Sequence, residues 1–176
     1  MKKPPSHDSR RLDVEVFARD AATLNGRLPL REMPRFTSML HEVAVDAGAV
    51  WRIEGSLAAP TGSRPEPRLH ITASATVKLQ CQRCLEPVVV HVEVDRLFRF
   101  LPDEAAAGAL DAECEDEVLV TSRALDVLEL VEDELLLALP LVPSHEQCPV
   151  DLMAGVREEP SELQRPFEAL GTLKKQ

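Results

Sequence analysis

Four side chains of the types that bind transition metals are arranged in two matching pairs. Cys81 and Cys84 form a Cys-x2-Cys pair, and His145 and Cys148 repeat that spacing later in the chain. Two thiolates three positions apart at a tight turn can reach one tetrahedral ion, as they do in zinc knuckles. The sequence therefore makes these four residues a candidate zinc site. It leaves open the alternative of half-buried thiols without an ion.

The surroundings of the Cys-x2-Cys pair disfavour a redox role. A thioredoxin-like pair opens a helix, and the helix N-terminus lowers the pKa of the thiol. Here Leu85, Glu86 and Pro87 are followed by a valine-rich segment instead. The remaining cysteine, Cys114, lies in an acidic segment and is at most a spare ligand. It is left out of the predicted site.

No other group of residues forms a catalytic set. Clustered carboxylates can hold Mg²⁺ or perform acid–base chemistry, but the solvated face of a helix is the favoured interpretation. The cluster consists of Glu129, Glu132, Asp133 and Glu134. His70 and His91 fall on the polar faces of predicted strands and are interpreted as surface histidines. No glycine-rich phosphate loop occurs, so the sequence predicts a protein that is not an enzyme.

The composition is that of a soluble globular protein. The chain has 176 residues, of which 44% are apolar and 28% charged, which predicts one domain over residues 1–176. Aromatic residues make up only 3%, which argues against RNA binding by base stacking. The formal net charge of -10 argues against a protein that coats nucleic acid. The acidity is concentrated in residues 103–134, so a restricted basic patch elsewhere stays compatible with the sequence.

The N-terminus shows no targeting segment. Met1, Lys2 and Lys3 are followed by polar and proline residues where a signal peptide has an apolar core. The longest nearly apolar run, residues 135–142, is interrupted by Pro140 and is too short to cross a bilayer. The sequence therefore predicts a cytoplasmic protein without a membrane partner, whose cysteines are reduced.

Hydrophobic periodicity predicts the elements that position these side chains. In the first part of the chain, residues 1–10 are expected to be disordered and residues 12–18 to form a short strand. Asn25 and Gly26 predict a turn, and residues 32–41 predict a helix. Period-two alternation then predicts antiparallel strands with one polar face over 51–57, 69–79 and 88–100.

The second half of the chain is predicted to contain one main helix between two less regular segments. Residues 101–118 are expected to form an acidic mobile loop, and residues 123–139 a helix that Thr121 or Ser122 caps. Residues 149–176 are expected to form an extended C-terminal segment with a short helix. The predicted fold class is α+β: an antiparallel β-sheet, open or partly closed, with one main covering helix and short peripheral helices.

Three blocks of sequence occur in an order typical of one known family. They are residues 81–87 (CQRCLEP), residues 130–143 followed by His145 and Cys148, and residues 165–175 (RPFEALGTLKK). In this order they resemble the bacterial large ribosomal RNA subunit accumulation proteins, the YceD family. The resemblance implies a non-enzymatic role in the synthesis, processing or stability of 23S rRNA during assembly of the large ribosomal subunit.

The resemblance also implies the kind of partner. A ribosomal precursor particle is expected, contacted through 23S rRNA, a large-subunit ribosomal protein or both, with no small-molecule substrate. The candidate partner-binding residues are Arg83, Glu132, Asp133, Glu134, Phe167, Lys174 and Lys175. Two alternatives from other classes stay open. One is a metal-dependent hydrolase or nuclease that uses Cys81, Cys84, Cys148 and an acid such as Glu132, and the other is a zinc-stabilised protein-interaction module.

Overall fold

A five-stranded sheet forms the centre of the protein in a computed structural model that describes residues 7–58, 65–111 and 117–151. The strands are β1 (Thr23–Pro29), β2 (Gly48–Ala58), β3 (Glu66–Gln80), β4 (Pro87–Leu101) and β5 (Glu117–Val120). Strands β1 to β4 are antiparallel in chain order, and β5 pairs with β4 in parallel. Because β1 and β5 lie at opposite edges, the sheet is open. The predicted α+β class is confirmed, and the partly closed alternative is wrong.

One face of the sheet carries the core, as the alternating sequence predicts. Trp51, Ala73 and Val94 are paired across β2, β3 and β4, and all three are buried. On the opposite face, Thr76 lies beside His91 and their side chains are hydrogen bonded at 3.1 Å. The period of two places every second residue on the same face, so the buried face is continuous across the three long strands.

Four α-helices accompany the sheet within the described residues, and both the first and the last of them pack against its apolar face. They are α1 (Val14–Arg19), α2 (Pro34–Thr37, after a 3₁₀ turn at Leu30–Glu32), α3 (Glu104–Asp111) and α4 (Val127–Leu137). In α4, Val127, Val131 and Leu135 recur on one side and are completely buried in the core. Among the described residues, no helix combines the length and the apolar character that crossing a membrane requires.

Helix capping overrides two of the predictions. Residues 12–18 were expected to be a strand, but the Asp13 carboxylate accepts the N–H of Val16 at 3.1 Å and begins α1. Leu12 alone keeps a β-bridge, to Leu125. The cap of α4 is Asp126, not Thr121 or Ser122, since its carboxylate accepts two backbone N–H groups of the first turn. The helix predicted over 123–139 is therefore shorter at both ends.

Two further expectations for the first part of the chain need correction. Asn25 and Gly26 lie inside β1, opposite Arg52 and Trp51, and do not form a turn. In place of the helix predicted over 32–41, the chain forms the 3₁₀ turn and then α2, which is a single turn that begins at Pro34. Proline is well suited to the first position of a helix.

The acidic segment 101–118 was expected to be a loop but contains α3 and the start of β5. The Asp103 carboxylate accepts the N–H of Ala106 at 2.8 Å in the first turn of α3. Of residues 1–10, the last four are described, and the Ser9 carbonyl accepts the N–H of Val127 at 2.9 Å. The expected C-terminal helix near residue 170 lies outside the described residues.

A close contact between β2 and α1 depends on a missing side chain at Gly55. A Cβ atom there would lie 2.6 Å from Cδ1 of Phe17 and 2.8 Å from its carbonyl oxygen. Since Phe17 is completely buried, Gly55→Ala is expected to cost about 1–3 kcal/mol of unfolding free energy in urea titrations. The control is Gly108→Ala in α3, where a Cβ meets nothing within 4 Å. An equal loss in both variants would contradict this account.

Candidate metal centre

The connection between β3 and β4 folds into a tight turn that carries Cys81 and Cys84. The N–H of Cys81 donates to the carbonyl of Glu86 at 3.0 Å, and the N–H of Leu85 donates to the carbonyl of Cys81 at 2.9 Å. Leu85 has a φ of 65°, a left-handed conformation that reverses the chain. The turn buries Cys81 completely and leaves Cys84 partly exposed.

The chain after α4 passes over this turn and brings two further ligands. We call residues 138–148 the strap. Its Pro143 carbonyl accepts the N–H of Gln82 at 2.9 Å, and its Glu146 carbonyl accepts the Arg83 guanidinium at 3.4 Å. These two contacts hold the strap against the turn, so that His145 and Cys148 face the two cysteines.

The four predicted ligands converge on one point. Their ligand atoms all lie within 4.8 Å of one another. Cys81 Sγ is 4.0 Å from Cys148 Sγ, and Cys84 Sγ is 3.4 Å from His145 Nδ1. A tetrahedral zinc ion with bonds of about 2.3 Å to sulfur and about 2.0 Å to nitrogen requires separations of about 3.8 Å and about 3.5 Å. The two observed separations of 4.0 Å and 3.4 Å are each within about 0.2 Å of these values.

A backbone carbonyl orients the histidine for this role. His145 Nε2 lies 3.1 Å from the carbonyl oxygen of Pro87, to which it donates its proton. The other ring nitrogen, Nδ1, then keeps its lone pair and points to the thiols. Such outer hydrogen bonds are typical of histidines that bind metal, because they fix the tautomer and the ring orientation. Pro87 acts through its backbone, so no side-chain signal in the sequence could have identified it.

The two central thiols differ in acidity. Burial raises the pKa of the Cys81 thiol, but N–H groups of Cys84, His145 and Arg83 at its sulfur outweigh burial and lower the pKa to about 5. Burial, together with hydrogen bonds to the Cys84 and Cys81 thiols, raises the pKa of Cys148 to about 11. The cluster therefore holds a thiolate at neutral pH, the form that binds metal.

The acidic side chains of α4 were expected to lie on a solvated helix face, but two of them are buried. Glu132 is buried, and one of its oxygens accepts the N–H groups of Arg35 at 2.7 Å and Phe36 at 3.0 Å. It thus caps α2, whose own N-cap residue makes no side-chain hydrogen bond. Asp133 stays 41% exposed and pairs with Arg35 at 2.5 Å. The solvated-face interpretation is wrong for Glu132, and little of its carboxylate is left for a partner to contact.

Glu134 is also buried, next to Arg96, whose Nε lies 3.5 Å from its carboxylate. Of the other candidates, Arg83 lies exposed on the turn of the metal centre. Phe167, Lys174 and Lys175 lie outside the described residues, as does Cys114. A role of these residues in partner binding stays a prediction.

The burial of Glu134 leads us to a prediction about how the stability of the fold depends on pH. Burial raises the pKa of Glu134 above its ordinary value of 4.5, although Arg96 acts in the opposite direction. The folded state then holds the proton more tightly than the unfolded chain, so this group destabilises the fold increasingly as pH rises through the raised pKa. Glu134→Gln is expected to raise the melting temperature at about pH 7 and to match the wild type near about pH 4. A difference that stays constant between these pH values would contradict this explanation.

Comparison with known proteins gives a consistent result. The family model "Large ribosomal RNA subunit accumulation protein YceD" matches residues 69–174. A protein of the same name from Haemophilus influenzae is similar to this chain, with 36% identity over 104 residues, which are 56% of this chain and 60% of the relative. The match therefore spans less than two thirds of that relative's length. No solved structure matches the chain.

Proposed function

Because the chain belongs to the family of large ribosomal RNA subunit accumulation proteins, we propose that it supports 23S rRNA accumulation by docking on a precursor of the large subunit. In this proposal it acts in the cytoplasm and turns over no substrate. The curated relative carries the same functional name, which supports the process but does not describe the mechanism.

The cluster of three cysteines and one histidine is the observation that supports the docking mechanism. These four side chains could occupy all four positions around a tetrahedral zinc ion. Catalytic zinc sites keep one position open for water or substrate, whereas structural sites are closed by protein ligands. When bound, zinc would cross-link the strap to the β3–β4 turn. We therefore propose a structural zinc ion held by Cys81, Cys84, His145 and Cys148.

The nuclease alternative has less support. Within residues 7–58, 65–111 and 117–151, no second group of three or more histidine, cysteine or acidic side chains converges on a metal position. Glu132, the acid considered for that role, is buried as the cap of α2 and does not face the cysteines. The net charge of -10 also disfavours extended contact with phosphates.

The experiment that tests the proposal is depletion of the protein in its own cells. The ratio of 23S to 16S rRNA is expected to fall, and the protein is expected to sediment with large-subunit precursors in sucrose gradients. An unchanged ratio would contradict the proposed process. Cleavage of precursor rRNA by the purified, zinc-loaded protein would contradict the docking mechanism.

A further inference from the structure

Three large apolar side chains are exposed within the six residues 137–142, where α4 meets the strap. Leu137, Leu141 and Val142 are 76%, 98% and 68% exposed. We call these three residues the apolar patch. Single exposed apolar residues are ordinary, but several neighbours on one short segment mark an interaction site.

The apolar patch is held in place on both sides. On one side, the N–H of Ala138 donates to the carbonyl of Glu134 at 3.0 Å and continues α4. On the other side, the carbonyl of Pro143 accepts the N–H of Gln82. Pro143 lies two residues before the candidate ligand His145. A surface that is ordered before it binds loses less conformational entropy on docking. A zinc ion bound by the candidate ligands would hold the strap at this end and so help to present the apolar patch.

The charge beside the apolar patch is negative. Glu129, Asp133 and Leu137 are spaced four residues apart and share one face of α4. Glu129 and Asp133 are 68% and 41% exposed, and the single Arg35 guanidinium within 4.0 Å also faces Glu132. One positive charge against three carboxylates leaves this face negative. No lysine or arginine occurs in residues 124–151, which contain seven acidic residues: Asp126, Glu129, Glu132, Asp133, Glu134, Glu146 and Asp151.

We propose that the apolar patch binds a protein segment in which apolar side chains are flanked by lysine or arginine. The apolar side chains would cover Leu141 and Val142, and the basic ones would lie along Glu129 and Asp133. RNA is the disfavoured occupant, because its phosphates would meet this acidic row. The inference rests on the proposed function, and it specifies that the contact with the precursor is made through a basic protein.

Leu141→Asp tests the proposal, with Val50→Asp as the matched control. Leu141 is 98% exposed, so aspartate there disturbs no packing, and Val50 is 53% exposed on the opposite face of the sheet. Both variants are expected to keep the zinc content and melting temperature of the wild type. In depleted cells, Val50→Asp is expected to restore the 23S to 16S ratio, and Leu141→Asp is expected to fail.

Binding is measured with the full-length protein and two purified probes. The probes are large-subunit ribosomal proteins freed of RNA, and a 23S rRNA transcript. The wild type and Val50→Asp are expected to retain a basic ribosomal protein, and Leu141→Asp to retain it about tenfold less well, the usual scale for a central apolar contact. Binding is also expected to weaken as salt is raised.

Four outcomes would overturn the inference. The first three are restoration of the ratio by Leu141→Asp, equal loss of binding in both variants, and Leu141-dependent binding of the transcript instead of a protein. Self-association that Leu141→Asp abolishes would assign the patch to a second copy and would also overturn it. A ratio that depletion leaves unchanged defeats the proposed function itself, whereas restoration by Leu141→Asp defeats only this inference.

Discussion

Cys81→Ser is expected to abolish stoichiometric zinc binding and to lower the melting temperature by about 10 °C. The Cys81 sulfur is completely buried and receives N–H groups from Cys84, His145 and Arg83. A serine hydroxyl is a poor zinc ligand and is not ionised at neutral pH. The loss of one ligand therefore leaves the strap without its cross-link to the turn. Metal content per chain and thermal melting, each with and without a chelator, are the measurements.

Cys114→Ser is the matched control for this experiment. Cys114 is the one cysteine outside the predicted ligand set, so its replacement is expected to change neither the zinc content nor the melting temperature. Chelation of the wild-type protein is expected to reproduce the effect of Cys81→Ser. A carefully purified wild type that lacks metal, or that melts at the same temperature after chelation, would disprove the zinc centre.

Glu132→Ala is expected to lower the unfolding free energy by about 3 kcal/mol. Its carboxylate is buried and accepts the backbone N–H groups of Arg35 and Phe36, which would otherwise be left without an acceptor. A hydrogen bond to a charged acceptor contributes about 1.5–3 kcal/mol, with the buried N–H of Phe36 near the upper end and the partly buried N–H of Arg35 below it. Helix α2 has only four residues and no side-chain cap of its own, so it depends on this contact. Urea unfolding gives the free energy directly.

The neighbouring carboxylate provides the control for Glu132. Asp133 pairs with the same Arg35 at 2.5 Å but remains 41% exposed. Exposed ion pairs contribute little, so Asp133→Ala is expected to cost less than about 1 kcal/mol. If the two variants lost the same stability, the contacts of Glu132 with the backbone of α2 would not explain its importance.

The sheet and the grouping of the four candidate metal ligands were the parts that the sequence could predict. The alternation over β2, β3 and β4 is long, and a period of two over many residues has one simple explanation, which is a strand with one buried face. The Cys-x2-Cys spacing identified Cys81 and Cys84, and the same spacing at His145 and Cys148 identified their partners. In both cases the signal is local.

The errors arose where a local pattern was short or a contact was distant. Residues 12–18 alternate over too few positions to separate a strand from a helix, and the Asp13 cap decided the outcome. Glu132 looked like one of several surface acids because its backbone partner Arg35 is 97 residues away in the chain. Sequence periodicity describes the elements, whereas that contact exists only once α2 and α4 have packed together.

The position of β3 has a practical consequence for experiments on shortened chains. The family model begins at residue 69, inside β3, although Leu69 itself is paired with Gly55 of β2. A fragment cut at that border would lose β2, the strand that pairs with one side of β3. It would also lose Phe36, whose N–H donates to the Glu132 carboxylate. The unpaired backbone groups at such an edge can pair with a strand of another molecule, which leads to aggregation. The matched stretch is therefore shorter than the sheet, and expression should retain the residues before it.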